Sequence, residues 1–378
     1  MQANMYQIKS TMQSINLHCY QFTQSSYILQ PQVMLNHDGL SYVAGRLVQA
    51  GHSRIPLDKL PAHTKLLVPF MPTSYVDRLS AAHTNLCYTT FETSQLPQSW
   101  INALNTHYHA CIVPHPAIKQ VFTESGIDIP IFVAQQGYTR LPQKPVKTNT
   151  RQETTSGKLT GGKLMDSKFI VGFLGVPQIR KNLSALIKAC QSLIRNKQVS
   201  GLQLQIHIPT RYAETDQMWL EEIAQQKFIQ LTQGIKTEQE LVDWYAGLSA
   251  YCFPSSGEGW SFTPRESLYL GIPTILSDIP VHQELIASGY CQAISTSGDQ
   301  PGVYKAYQQN QLVNVACGYW SRISSETIAE AIHQVCRNYP YWQEQARLGQ
   351  DWIKDQWTNE ASLATVKHII EQPFIEQL

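Results

Sequence analysis

Several features that would place a protein quickly are missing from this sequence. No two of its eight cysteines form a Cys-x-x-Cys pair, which excludes a zinc ribbon or a thioredoxin-type redox motif. The cysteines instead sit inside apolar runs such as Leu86-Cys87-Tyr88, Ala110-Cys111-Ile112 and Tyr251-Cys252-Phe253, where they read as buried thiols in a reducing compartment. No stretch approaches the ~20 apolar residues that a membrane-spanning helix needs. The first residues, Met1 to Tyr6, lack the charged-then-apolar pattern of a signal peptide. Charge of one sign is also missing: 29 basic residues face 28 acidic ones, for a net charge of +1. That balance argues against nucleic acid as the main partner. The expected location is therefore cytoplasmic, at most peripheral at the inner face of a membrane, where a local basic patch could still meet anionic lipid. No internal repeat or low-complexity tract occurs, and the abundant glutamines are dispersed.

What is present points to a globular α/β protein. Hydrophobic residues make up 43% and charged residues 15% of 378 residues, a length that fits two domains better than one. A polar stretch rich in Gly, Ser and Thr over 143–167 has no periodicity and reads as a linker. The expected organisation is a first domain over 1–145, a linker over 146–167, a second domain over 168–340 and terminal helices over 341–378. In the second domain, buried-strand runs are expected at 169–174, 202–208, 228–231, 250–253 and 274–276. Helical runs at 183–194, 214–226, 238–248 and 266–270 alternate with them. Such alternation implies a parallel sheet with helices on both faces. The first domain is less regular, with short strands expected at 66–68, 86–88, 111–113 and 131–133 and helices at 40–50, 98–105 and 117–125. The stretch from Tyr341 to Gln372 reads as an amphipathic helix rich in Trp.

The most informative segment is Ser255-Ser256-Gly257-Glu258-Gly259-Trp260-Ser261-Phe262-Thr263-Pro264-Arg265-Glu266. It follows an apolar strand and leads into a helical run that stops at Gly271. Glu258 is placed in the loop leaving the strand, and Glu266 in the first turn of the next helix. In doubly wound proteins the crevice at the carboxyl ends of the strands binds ligands. The plainer reading makes Glu258 a solvated loop acid and Glu266 a favourable charge near a helix N-terminus. A second loop, Gly175 to Lys181, also follows a strand and opens a helix, so its N–H groups and the cations Arg180 and Lys181 suit an anion. The alternative there is two solvated cations capping a loop.

The spacing of Glu258 and Glu266 resembles the E-x7-E motif of retaining GT-B glycosyltransferases, most closely the family 4 enzymes that elongate bacterial glycans. The resemblance extends over roughly residues 85–370. It is carried also by Thr90-Phe91-Glu92-Thr93-Ser94-Gln95-Leu96-Pro97, Val113-Pro114-His115, Phe122 to Ile127 and Gln136-Gly137-Tyr138. It implies two Rossmann-like domains facing each other across a cleft, with the C-terminal helix crossing back to the first. It also implies transfer of a hexose from a nucleotide-diphosphate sugar, UDP- or GDP-linked, to a hydroxyl of a glycan or lipid-linked acceptor. Glu266 would accept hydrogen bonds from the ribose and Glu258 would bind the donor sugar. Gly175, Gly259, Trp260 and Ser261 would approach the diphosphate, Arg180 and Lys181 would neutralise it, and the base would lie near Thr232 to Ile235. Many relatives carry an arginine after the glycine matching Gly175, where this chain has Val176. No Asp-x-Asp occurs, and GT-A enzymes use that motif to hold a metal, so no metal or other cofactor is expected. Retention would follow from front-side attack, the leaving phosphate helping to deprotonate the acceptor.

From the first domain, the loop Asn36-His37-Asp38-Gly39-Leu40 would face the donor through Gly39, or else it is an ordinary helix start capped by Asp38. Glu92 lies at the acceptor side or braces its cleft. His52, His63 and His83 are further candidates, each also readable as a core or surface histidine. Two rivals stay open: a nucleotide-sugar 2-epimerase, and a non-catalytic relative that binds nucleotide or a partner.

Overall fold

The computed structural model describes residues 17–30, 39–137, 168–209, 214–308 and 311–373. The segment 146–167 read as a linker, the loop residues Asn36, His37 and Asp38, and Tyr138 lie outside the described residues.

The first sheet is built from β1 (His18–Thr23), β2 (Ser26–Leu29), β3 (Arg54–Pro56), β4 (Lys65–Val68), β5 (Thr84–Tyr88), β6 (Ala110–Val113) and β7 (Ile131–Val133). Its order is β3-β1-β2-β4-β5-β6-β7, parallel from β2 onward, with β1 antiparallel to both of its neighbours. Helices α1 (Gly39–Gln49), α2 (Gln98–His107) and α3 (Pro116–Glu124) join strands. β6 is apolar throughout, and β4 and β5 are apolar after Lys65 and after Thr84-Asn85, because both faces are covered. One face packs on Trp100, Leu104, Ile118 and Phe122, the other on Val43 and Leu47.

The second sheet contains β8 (Phe169–Leu174), β9 (Leu202–Ile208), β10 (Ile229–Gln233), β11 (Ala250–Phe253), β12 (Thr274–Ser277) and β13 (Cys291–Ile294). It is linked by α4 (Leu183–Arg195), α5 (Glu214–Ala224), α6 (Glu238–Ala246), α7 (Phe262–Tyr269) and α8 (Gln283–Ala287). The order β10-β9-β8-β11-β12-β13, with every pair parallel, is the doubly wound order of a dinucleotide-binding domain. The apolar stripe of α4 (Leu183, Leu186, Ile187, Cys190 and Leu193) recurs at helical spacing and is buried on this sheet. The two sheets and their helices form the GT-B fold.

Beyond β13 the chain forms an antiparallel ribbon, β14 (Asp299–Gln308) and β15 (Gln311–Ser321), and then α9 (Ser325–Arg337), α10 (Tyr339–Ile353) and α11 (Asn359–Glu371). The sequence reading expected no ribbon; α10 and α11 occupy the stretch where it placed terminal helices, and the amphipathic run from Tyr341 to Gln372 did not show the break between them. Trp357, with φ of 47°, lies in the turn between those two helices. α11 crosses to the first domain, where Val366, Ile369 and Ile370 join the core face formed by Phe22, Ile28, Val43 and Leu67. Lys65 of β4 caps its end, with Nζ donating to the carbonyls of Ile370 at 2.7 Å and Gln372 at 2.6 Å. Gly137 allows the close approach, since a Cβ there would lie 2.4 Å from Asn359 Cα. Ile279 and Val281, after β12, are buried in the first-domain core, so the two domains share apolar packing. Among the described residues, no helix is long and apolar enough to cross a membrane.

Candidate functional site

The order of the second sheet reverses between β8 and β11, so the loops leaving these strands emerge side by side. The first runs from Gly175 through a 3-10 turn, Ile179–Lys181, before α4 begins at Leu183. Arg180 and Lys181 therefore stand on the turn ahead of the helix, not within it. Asn182, in the left-handed conformation (φ 52°), ties the loops together: its Nδ2 donates to Pro254 O at 2.9 Å and to Ser256 Oγ at 2.7 Å. In return, Ser256 N donates to Arg180 O at 2.7 Å.

This junction brings four expected residues into one charge cluster. Glu258 is 8% exposed, which rules out the solvated-acid reading. Its carboxylate accepts from the Arg180 guanidinium, from Lys181 Nζ at 2.6 Å and from Ser255 Oγ at 2.6 Å. Burial alone would raise its pKa, but Arg180, Lys181 and the hydrogen bonds outweigh burial and hold it at about 2. Burial lowers Lys181 to about 8 although Glu258 opposes this, and its ammonium sits 4.4 Å from the Phe253 ring centroid. Arg180 also donates to Gly257 O at 2.9 Å and reaches Glu92 of the first domain at 3.3 Å. Two cations and two carboxylates thus neutralise each other across the domain boundary.

Glu266 is separate from this cluster in its partners. α7 begins at Phe262, four residues earlier than expected, so Glu266 lies in the second turn and not the first. Ser261, with φ of 70°, starts the helix, and Pro264 fits within the first turn, where its missing N–H has no intrahelical partner. The half-buried Glu266 accepts from Tyr245 Oη of α6 at 3.3 Å. Desolvation raises its pKa to about 7, against the lowering effect of that hydrogen bond. Gly175 N donates to His207 O at 3.1 Å, so this amide is already paired.

The loop between the glutamates packs on the first domain. A Cβ on Gly259 would lie 2.0 Å from Thr90 Oγ1, and one on Gly257 2.2 Å from Glu92 O. The Trp260 side chain is 2% exposed and covers Arg265, whose guanidinium carbon is 3.8 Å from the Trp260 ring and 4.6 Å from that of Trp357. Arg265 is fully buried and holds the loop, donating to the carbonyls of Trp260 and Ser261 and to Glu284 at 2.8 Å. Ser261 Oγ lies 2.8 Å from His282 Nε2, and His282 Nδ1 is 2.8 Å from Ser277 O. Because the carbonyl accepts only, Nδ1 carries the proton and Ser261 donates to Nε2. Burial lowers the His282 pKa to about 4, so the ring stays neutral.

The first-domain candidates divide. Thr90 and Glu92 leave β5 at its carboxyl end and reach the cluster. Gly39 opens α1, which follows β2 at the same edge of the sheet. His63 and His83 precede β4 and β5, and His52 precedes β3, so all three lie at the opposite edge, away from the second domain. The histidine that reaches across is His115, after β6. Its Nδ1 accepts from Ala117 N at 3.1 Å, leaving Nε2–H to face Glu284 at 3.5 Å. Sequence reasoning quoted Val113-Pro114-His115 and Arg265 without giving either side chain a role, and it missed Glu284 and His282 altogether. Among the described residues, no group of three or more His, Cys, Asp or Glu side chains is arranged to hold a metal ion.

Residues 162–308 match the family model described as glycosyl transferases group 1, which ends within the ribbon. Anabaena HepE in complex with UDP-glucose superposes with a TM-score of 0.58 at 11% identity, covering 81% of this chain and 78% of that one. Sucrose-phosphate synthase from Thermosynechococcus elongatus gives 0.58 at 13% identity, covering 81% and 72%. TarM of S. aureus gives 0.55 at 12% identity, covering 82% and 55%. The chain spans 55–58% of the length of TarM and of the GtfA/B structure. At these identities the likeness is one of fold. No curated protein sequence matches the chain.

Proposed function

We propose that the protein is a retaining, metal-independent glycosyltransferase. It moves a hexose from a UDP- or GDP-sugar to a hydroxyl of a glycan or lipid-linked acceptor, in the cytoplasm or at the inner face of a membrane. The observation that carries this reading is the Arg180–Lys181–Glu258–Glu92 cluster around the buried Glu258, set where the strand order reverses in a GT-B second domain that matches a glycosyltransferase family model. Preorganised cations at such a place suit the charge that develops on a leaving diphosphate.

In this reading Arg180 and Lys181 exchange their contacts with Glu258 for diphosphate oxygens. Each charge-assisted contact contributes about 1.5–3 kcal/mol. The released Glu258 carboxylate accepts from hydroxyls of the hexose, and Glu266 accepts from the ribose. Gly259, Trp260 and Ser261 offer backbone to the diphosphate, the Trp260 side chain being turned inward. The bond between the anomeric carbon and the phosphate oxygen breaks as the acceptor oxygen bonds to the same face. The acceptor proton passes to the leaving phosphate. Glu92, fixed opposite Arg180, borders the acceptor side.

A second reading, a non-catalytic relative, is favoured by one observation: the cations are already neutralised within the chain. Calorimetry with UDP, GDP, ADP and their sugars in EDTA separates the two. Selective binding of one nucleotide sugar by the wild type, lost in Glu266→Ala and followed by glycosyl product with an acceptor, supports transfer; binding without turnover, or no binding by any of them, supports the relative. Product formation that stops in EDTA would refute metal independence.

A further inference from the structure

The ribbon β14–β15 fastens the first domain to the loop that carries Glu258. At its base, Ser321 N donates to Ser256 O at 3.1 Å and Gln300 Nε2 reaches Ser256 Oγ at 3.3 Å. One step along, Tyr319 and Ser94 exchange two hydrogen bonds, Ser94 N to Tyr319 O at 3.1 Å and Tyr319 N to Ser94 Oγ at 2.9 Å. Cys317 Sγ donates to Gln95 O at 3.0 Å, and Tyr304 meets Phe91 edge-on at 5.8 Å. Gly302 and Gly318 permit this contact: Cβ atoms there would lie 2.7 Å from Cys317 O and from Gln95 N.

Between these ties lies Trp320, 6% exposed, with its indole against Gly257: a Cβ on that glycine would stand 3.2 Å from Trp320 Nε1. Nε1 is buried and has no hydrogen-bond partner among the described residues, and the same holds for Thr90 Oγ1 beside Gly259. The two glycines on either side of Glu258 in the chain thus each pack against a buried donor that has no partner among the described residues. Leaving such a group unpaired inside the fold is costly, so one expects it to have a use.

The chemistry of the three groups selects the ligand. An indole N–H only donates and an ionised carboxylate only accepts, whereas a threonine hydroxyl does either. A phosphate oxygen would suit Trp320 but be repelled by Glu258. A sugar hydroxyl suits both at once, donating its proton to Glu258 and accepting from Trp320 or Thr90. We propose that Trp320 Nε1–H and Thr90 Oγ1–H are hydroxyl-recognition groups of the donor sugar. The ribbon and the first domain then complete a hexose site that the second domain alone does not contain. This rests on the glycosyltransferase reading above.

The test is Trp320→Phe, which keeps the ring and removes the N–H, with Thr90→Val as its counterpart. UDP-glucose, GDP-mannose, UDP and GDP are titrated into wild type and variants by calorimetry, beside thermal melts. The expected result is binding of the nucleotide sugar weakened about 5- to 20-fold, with affinity for the nucleoside diphosphate unchanged. Monodeoxy analogues of the bound sugar should show one hydroxyl whose removal weakens wild type but not Trp320→Phe. Unchanged nucleotide-sugar affinity in both variants overturns the proposal, and so does an equal loss for sugar and diphosphate, which marks a packing role. A wild type that binds none of the four probes overturns the functional reading itself.

Discussion

Replacing Glu266 by glutamine should make the unliganded protein more stable while abolishing nucleotide binding. Desolvation raises the folded-state pKa of Glu266 from the usual 4.5 to about 7. The proton therefore favours the folded state. The stability it brings is complete below pH 4.5, falls as pH rises from there to 7, and is absent above. A shift of this size corresponds to about 3–4 kcal/mol at most, at about 1.4 kcal/mol per pH unit. Solvent still reaches this half-buried residue, so about 1–2 kcal/mol is the working figure. Glutamine mimics the protonated form at every pH. Urea unfolding at pH 4.5 should give equal stability for wild type and Glu266→Gln, and at pH 8 the variant should be ahead by that amount. Binding runs the other way. Under the proposed function the ionised carboxylate is the form that accepts two ribose hydroxyls, so nucleotide-sugar affinity should rise about fivefold from pH 6 to 7, as the ionised fraction climbs from about a tenth to a half while Lys181, at about 8, stays charged. The diphosphate of a nucleotide sugar has no titration there to confuse the reading. A variant less stable than wild type at pH 8, or wild-type affinity flat across that range, would refute the reasoning.

Glu258→Gln leaves Arg180 and Lys181 buried without their shared anion and should cost about 3–5 kcal/mol in urea unfolding at neutral pH. Arg265→Lys keeps the charge but loses the planar fork held between Trp260 and Trp357, so a loss of about 2 kcal/mol or more is expected, read as a lowered Tm. Gly137→Ala drives a Cβ into the backbone at Asn359 and should loosen α11, seen as faster proteolysis at the turn between Lys354 and Thr358 with the second domain intact.

The second domain was legible because its strands are buried on both faces. Runs such as Phe169–Leu174 and Ala250–Phe253 cannot be anything exposed, and the stripe on α4 has one period only. The place of Glu258 after β11 followed from those runs. Its neighbours did not. Strand order decides that the loop after β8 meets the loop after β11, and periodicity says nothing about order. The start of α7 was misplaced because Pro264 reads as a boundary, although a first turn tolerates it. Signals for the ribbon existed in Val303, Tyr304, Tyr307, Val313, Val315, Tyr319 and Trp320 around the polar Gln308–Gln311 stretch, but Gly302 and Gly318 interrupt them. Those glycines are set by contacts with Thr93 to Gln95, some 200 residues away. Arg265 shows the same limit: a cation beside a proline looks exposed until two tryptophans from different elements close on it.

The position of α11 has a consequence for how the protein is made. The first sheet is complete at Val133, yet the face that Val366, Ile369 and Ile370 cover stays open until Glu371 has been synthesised. At about 5–20 residues per second the intervening 238 residues take roughly 10–50 s. Throughout that interval the nascent chain carries Phe22, Ile28, Val43 and Leu67 without their final covering helix. Ribosome-bound chains halted before α11 should therefore crosslink to chaperones at this face, and chains released after it should not.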